Sequence, residues 1–479
     1  MRTKLFYFIS FYLSLHICAA QEGYVIKGKI KGIHDTVCYL GNHYGNKQYV
    51  KDTTKVDKDG NFIFKGKKKL DGGIYLIVLP SKKYFEILVD KDQHIYVETD
   101  TTTKMVEHMK VKGSEDNINF YKYLDYISEE QSKVEPLRKR FAKIKEDSLA
   151  AATTKKDSLK ILQDKIAAVD KDVEKYKDDF INKHPESFLA VIFKAQKEPV
   201  VPENPDKKDS LFAYRYYKNH YWDNIPLSDD RLLRTPIFHA KLKYYFDKVI
   251  LQHPDSIIKE SDILIEKTNG NKETFKYLVW YTTMTYETSP IMGMDAVFVH
   301  EVEKYYMTNK AYWVDSVQVQ KIIHRGLTLK PLLLEKPAPP VVMQDSSDKN
   351  FSLYEVKSKY TVLIFWDPDC GHCQKIVPKL KEVYDKSLQA KGVTVYSVDI
   401  EDDATKWKKF IKEKKLNWIN VHDKYKQYYL RELFDIYSTP VIYLLDENKH
   451  IKAKRIDVDQ MDGFIDHLEK VKALEKNKK

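Results

Sequence analysis

The chain has 479 residues, with 81 Lys and Arg against 70 Asp and Glu, 16 Gly, 17 Pro and four Cys, and 43% of it is hydrophobic. At roughly 100 to 200 residues per domain this is several domains with real cores, which excludes a single small module, a disulfide-stapled miniprotein and a disordered chain. The net charge of +11 is dispersed, Lys alternating with Glu and Asp through nearly every segment apart from the tail residues Lys476, Lys478 and Lys479, so it reads as a solvated surface and not as a nucleic-acid footprint.

Residues 1–20 read as a secretory signal peptide. Arg2 and Lys4 give the positive start, Leu5 to Ile17 give an apolar run too short to span a bilayer, and Cys18-Ala19-Ala20 offers a small-residue cleavage site before Gln21. Cleavage before a lipidated Cys18 is the rival route and would anchor the protein to a membrane, but Ile17 stands where that route wants a small residue. The expected location is the periplasm or cell envelope. In such an oxidising compartment disulfides persist, so thiol chemistry becomes a plausible task.

From residue 21 to 106 the pattern predicts a β-strand-rich domain. Tyr24 to Ile30 alternates, Asp59-Gly60 sits as a hairpin turn between Thr54–Lys58 and Asn61–Phe64, and Tyr75–Leu79 and Phe85–Val89 are apolar runs. Cys38, in a strand-like stretch, is expected to be a buried small hydrophobe.

Residues 107–330 predict a helical domain. Leu159, Leu162, Ile166, Val169, Val173, Tyr176 and Phe180 recur alternately three and four residues apart, a heptad seam. Phe120, Leu124, Ile127, Val134, Phe141 and Ile144 are compatible with it, although Gln131 and Pro136 interrupt. The seam suits either a helical hairpin within the chain or a homodimer through residues 159–180. After a break at Pro199, Pro202 and Pro205 come aromatic-rich helices, with Tyr214, Tyr216, Tyr217, Tyr221 and Trp222 and later Tyr277, Trp280 and Tyr281. Aromatic stripes at helical spacing read first as core and second as a ligand groove. His184-Pro185-Glu186-Ser187 is echoed by His253-Pro254-Asp255-Ser256, a hint of a helical repeat.

Glu335-Lys336-Pro337-Ala338-Pro339-Pro340 reads as a stiff linker or an edge before a last domain, residues 331–479. There a buried strand at Tyr360–Trp366 leads to a helix from Cys373 to Lys386, a strand at Val393–Val398 and a charged helix from Ala404 to Lys414. Strands at Trp418–Val421, Val441–Leu445 and His450–Arg455 and a helix from Met461 to Ala473 complete it. Strands alternating with helices imply a partly parallel sheet covered on both faces. The fold class is thus multidomain, all-β, then all-α, then α/β.

The chemistry is carried by Cys370-Gly371-His372-Cys373, which follows a strand and opens a helix. Two residues between the cysteines let the sulfurs close a tight disulfide, and the N–H groups and dipole of the helix start favour the thiolate of Cys370. Cys370 is then the nucleophile and Cys373 the resolving thiol. His372 is expected to add a donor that favours the thiolate, whereas Asp367 and Asp369 oppose a second negative charge. A zinc site lacks its second ligand pair, and covalent haem attachment needs His where Gln374 stands, so neither metal nor cofactor is expected. A purely structural disulfide remains a third reading.

With these residues on view, the stretch from Pro337 to Val471 resembles the thioredoxin superfamily, most closely its exported TlpA-like branch. Carrying the resemblance are Lys336-Pro337-Ala338-Pro339, Phe365-Trp366, the Cys-Gly-His-Cys motif, Pro378, and Ser438-Thr439-Pro440 before the strand from Val441 to Asp446. The resemblance implies a cis peptide bond at Thr439-Pro440 facing the cysteines, and a Thr439 backbone that pairs with an extended substrate. Trp366 and Gly371 join His372, Asp367 and Asp369 as residues expected to tune the redox pair.

Two positions depart from the family pattern. Ile376 stands where many relatives carry Glu, and Ile364 where thioredoxin carries a buried acid, which leaves water, Asp367 or Asp369 to deprotonate Cys373. Cys-Gly-His-Cys is also the motif of protein disulfide isomerases, which shifts the expectation toward oxidation or isomerisation. A peroxiredoxin would need Thr or Ser where Asp367 stands. The leading 330 residues are similar, more weakly, to the leading domains of large envelope thioredoxin-like proteins.

The expectation is an exported thiol-disulfide oxidoreductase, with envelope protein thiols or disulfides as substrates and a redox partner protein. The alternative is an envelope ligand- or protein-binding protein in which the last domain is a scaffold or redox latch.

Overall fold

The structure, a computed structural model, describes residues 23–146, 152–401 and 403–476. The leader expected over residues 1–20, with Cys18, lies outside the described residues. The chain divides into two units: residues up to Val249 together with Thr268–Thr274, and Ile250–Lys267 together with Phe275 onward.

The first unit opens on strands β1 (Tyr24–Lys31), β2 (Thr36–Tyr44), β3 (Lys47–Val56), β4 (Asn61–Gly66), β5 (Gly73–Val78), β6 (Tyr84–Val89), β7 (His94–Asp100) and β8 (Lys110–Lys112). They form two four-stranded sheets, ordered β4-β1-β7-β8 and β3-β2-β5-β6. Alternation in sequence becomes alternation in burial: β1 turns Ile26 and Ile30 inward and Lys27 and Lys31 outward, so one face of each sheet can be apolar. Ile26, Ile30, Phe62, Phe64, Ile77 and Ile87 share one core with Cys38, whose thiol burial pushes up to about 12. The β3–β4 turn is set by the Asp57 carboxylate, which accepts from the Asp59 and Asn61 amides, and by Gly60 at φ 83°, where a Cβ would lie 2.5 Å from the Ile30 carbonyl.

Helices α1 (Glu115–Glu146) and α2 (Ala152–Lys183) follow, then α3 (Phe188–Gln196), α4 (Phe212–His220) and α5 (Pro236–Tyr244). The heptad seam packs within the chain: Tyr176 stacks on Tyr126 of α1 at 4.5 Å, and Phe180 meets Phe193 of α3 edge-on at 5.5 Å. Of the aromatic stripes, Tyr221, Trp222, Tyr277 and Tyr281 are buried core residues, Tyr216, Tyr217 and Trp280 are half-buried, and Tyr214 is exposed. Ser187 caps α3 through its hydroxyl.

The second unit starts with α6 (Pro254–Glu266), α7 (Lys272–Glu287, its first turn counted with the other unit), α8 (Asp295–Glu301) and α9 (Ser316–Leu329). His253 caps α6 through its ring nitrogen, so both members of the His-Pro echo mark helix starts. Beyond lie β9 (Val342–Asp345), β10 (Asn350–Ser352), β11 (Tyr360–Trp366), α10 (Cys373–Val383), β12 (Val393–Asp399), α11 (Ala404–Glu413), β13 (Ile419–His422), α12 (Leu430–Leu433), β14 (Val441–Asp446), β15 (Ile451–Lys454) and α13 (Val458–Lys476).

These seven strands form one sheet, β10-β9-β13-β12-β11-β14-β15, with β11, β12 and β13 parallel and β14 antiparallel to β11. All seven residues of β11 are buried, as a central strand covered on both faces requires. Val362, Ile364 and Trp366 enter one core with Cys373, Trp407 and Ile465; Leu363 and Phe365 enter the other with Phe434, Tyr443 and Leu332. This is a thioredoxin fold behind an all-β and an all-α region. Among the described residues no helix is long and apolar enough to cross a membrane.

Candidate functional site

The site forms where β11 ends. The chain turns out of the sheet because Asp367 Oδ1 accepts from the Asp369 amide at 2.7 Å while its carbonyl accepts from the Cys370 amide at 3.2 Å. Gln374 Nε2 ties the turn down by donating to the Pro368 carbonyl at 2.9 Å. α10 then begins at Cys373, and its next amides are taken up within the turn, Gln374 N–H donating to the Cys370 carbonyl and Ile376 N–H to the His372 carbonyl, both at 3.0 Å. The Cys373 N–H lies 3.4 Å from Cys370 Sγ.

From the opposite side comes the loop before β14. The Thr439-Pro440 bond is cis, and the Cys370 thiol donates to the Thr439 carbonyl at 3.5 Å. The structure thus brings Cys370, Cys373, Thr439 and Pro440 together. All three described cysteines carry unbonded thiols.

The two motif sulfurs differ sharply. Cys370 is half-exposed; burial alone would raise its thiol, but hydrogen bonding from the Thr439 side chain, from the Cys373 amide and thiol and from the His372 amide outweighs that, and the net shift is downward. Cys373 is fully buried, and burial pushes its thiol up to about 12 against the Asp367 amide and Thr439, with the neighbouring Cys370 adding to the rise. Its surroundings are apolar: Ile364 lies in the same core and Ile376 packs against it. At neutral pH one sulfur is poised to attack and the other is held as a thiol.

The remaining predicted residues are placed as follows. Trp366 is wholly buried, its indole N–H donating to Ser397 Oγ at 2.7 Å, so it supports the strand end from within the core. Gly371 is exposed, and a Cβ at this position would meet nothing within 4 Å. The His372 ring is exposed and makes no cap bond; what His372 gives Cys370 is its backbone amide. Asp369 is paired with Lys406 of α11 at 2.6 Å, which offsets the negative charge it would otherwise set beside a thiolate.

Lys406 was not legible as a site residue, because a charged helix is full of equivalent lysines. Nor were Asp435, Arg455 and Arg325, which brace the loop carrying Thr439. Arg455 donates to the Asp435 carbonyl at 2.6 Å and to its carboxylate at 3.1 Å.

Residues 334–454 match the family model described as the AhpC/TSA family, residues 24–120 the domain of unknown function DUF4369, and residues 151–328 the domain of unknown function DUF5106. Among curated relatives, the chain is 26% identical over 136 residues to thiol-disulfide oxidoreductase ResA of Bacillus cereus, covering 28% of this chain and 77% of that one. It is 28% identical over 117 residues to ResA of Bacillus subtilis, covering 24% and 64%. A solved domain described as that of a "possible thiol-disulfide isomerase" from Cytophaga hutchinsonii is 45% identical, with a TM-score of 0.29, and the match covers 30% of this chain and 98% of that domain.

Proposed function

With residues 334–454 an AhpC/TSA-family domain of thioredoxin fold, and the chain a thiol-disulfide oxidoreductase, we propose that it is exported and exchanges disulfides of envelope proteins through Cys370 and Cys373. The observation that carries this is the contrast of the two sulfurs: a half-exposed thiol shifted down, in contact with Thr439 and the Cys373 amide, beside a buried thiol raised to about 12.

The Cys370 thiolate attacks one sulfur of a substrate disulfide. A bond forms between Cys370 Sγ and that sulfur, and the substrate S–S bond breaks, releasing the other sulfur as a thiolate. Cys373 then attacks Cys370 Sγ, expelling the second substrate sulfur and closing the Cys370–Cys373 disulfide. Substrate gains two electrons and the enzyme loses them. The departing thiolates take up protons, including that of Cys373, because the carboxylate of Asp369 is engaged by Lys406 and apolar Ile364 and Ile376 flank the resolving thiol.

Run backward, the sequence oxidises a substrate dithiol. A lowered Cys370 is the better leaving group, which favours oxidation or isomerisation over rapid reduction. A redox partner protein resets the pair. Export is supported by the basic, apolar and small-residue pattern of residues 1–20.

Turnover of a polypeptide disulfide by the full chain, followed beside Cys370→Ala, tests the reading. Wild-type turnover well above that variant is expected; equal rates would contradict it.

A further inference from the structure

The segment that delivers Thr439 to Cys370 is held from outside the matched thioredoxin region. Asp435, four residues before Thr439, is buried and adopts a left-handed backbone at φ 52°. Its carboxylate is gripped twice. Arg455, at the end of β15, donates to Oδ2, and Arg325, on α9, donates through both guanidinium nitrogens, Nη1 to Oδ1 and Nη2 to Oδ2.

Arg325 does more than pair. Nη1 also donates to the Tyr437 hydroxyl at 3.1 Å, and the guanidinium lies 4.9 Å from the Tyr437 ring centroid. It therefore holds the chain on both sides of Ile436, just ahead of Thr439. The adjacent residue on α9, His324, meets Glu432 at 2.9 Å. Within the second unit the helical segment thus fixes both ends of the approach to Thr439, whose side chain is among the groups that favour the Cys370 thiolate.

Resting on the oxidoreductase reading, we propose that Arg325 is a positioning residue of the Cys370 site: by locking Asp435 and Tyr437 it sets Thr439 against the Cys370 sulfur, so the helical segment governs the reactivity of the thiol. A planar fork that engages a carboxylate and a hydroxyl together is specific to Arg, and Lys replaces only its charge. Removing it leaves the buried Asp435 carboxylate with one partner fewer, and the segment relaxes.

The test uses the full chain carrying Arg325→Gln or Arg325→Lys. Iodoacetamide alkylation of Cys370 is followed against pH by mass spectrometry, with thermal unfolding alongside. The titratable groups near Cys370, namely Cys373, His372, Asp367 and the Lys406-paired Asp369, are unchanged in both variants.

For Arg325→Gln the alkylation midpoint is expected to rise by about half a pH unit, an about threefold loss of thiolate at pH 7, and Arg325→Lys is expected to recover part of it. If Arg325→Gln does not fold, Arg325→Lys alone is expected to lie above wild type. Profiles superimposed on wild type, even with a lowered unfolding temperature, would overturn the assignment and leave Arg325 a purely structural residue. Alkylation needs no turnover, so an inactive wild type whose profile still moves with Arg325 would sink the oxidoreductase reading alone.

Discussion

Two regions of the second unit hold titratable groups displaced in opposite ways. In the helical segment Glu301 is wholly buried, and burial raises its carboxyl to about 8, with Ser261 Oγ donating to Oε1 at 2.6 Å. At the end of β11, Cys370 is half-exposed, and hydrogen bonding overcomes burial to lower its thiol. The larger displacement is at Glu301, yet it is closed off from solvent. The smaller one sits at the surface between a helix start and a loop carbonyl. Displacement alone does not mark a site; displacement toward the reactive form, in reach of a partner, does.

Substitutions can break this comparison in order of size. Cys370→Ala is expected to bring disulfide turnover down to the uncatalysed background, read with a polypeptide substrate, because no other described thiol is both exposed and lowered.

Next is selectivity between the thiols. With Cys373 and Cys38 both raised to about 12, iodoacetamide at pH 7.5 is expected to label Cys370 about 10³-fold faster than either. Peptide mapping of the native protein measures it, and double labelling of the motif would deny the contrast between the sulfurs.

Glu301→Gln sharpens the other side. The folded carboxyl titrates near 8, above the unfolded value of about 4.3, so its stability contribution is full below pH 4 and is lost as pH rises toward 8. Gln keeps an acceptor for Ser261 and carries no charge. At pH 8 the variant is expected to unfold at a higher temperature than wild type, by about 2 to 4 °C for each kcal/mol gained. At pH 4 the gain should vanish, and Cys370 alkylation should not change at either pH. The neighbouring charges Asp262 and Lys304 stay in place throughout.

The smallest effect is at Gly371. Its Cβ position meets nothing within 4 Å and its φ is not in the left-handed range. Gly371→Ala should leave the unfolding temperature unchanged or raise it slightly, since Ala narrows the unfolded ensemble. A marked fall would mean that the loop needs glycine.

What could be read from sequence follows from how local each signal is. β11 was legible because seven successive buried positions leave seven apolar or β-branched residues, and β1 because a half-buried strand alternates. For the Pro-rich stretch before the last domain the sequence leaves a linker and an edge both open, and the structure has it run along the sheet: Pro337 bridges His450, and the Glu335 amide donates to the Ile451 carbonyl. Prolines at an edge keep pairing on one side only, so a linker and an edge strand share one composition.

At the site, the cysteines and Thr439-Pro440 stood out because each is a short motif. Lys406 and Arg325 did not, since their carboxylates lie 37 and 110 residues away in sequence and no local pattern links them. Backbone geometry, equally invisible in sequence, explains why His372 promised a ring donor while the fold uses its amide.

The central claim is that Cys370 is the sulfur through which substrate enters. The most direct measurement incubates full-length Cys373→Ser with a polypeptide disulfide and maps the products by non-reducing mass spectrometry. A mixed disulfide that accumulates on Cys370 is the predicted result; no adduct, or an adduct on Cys38 instead, would contradict it.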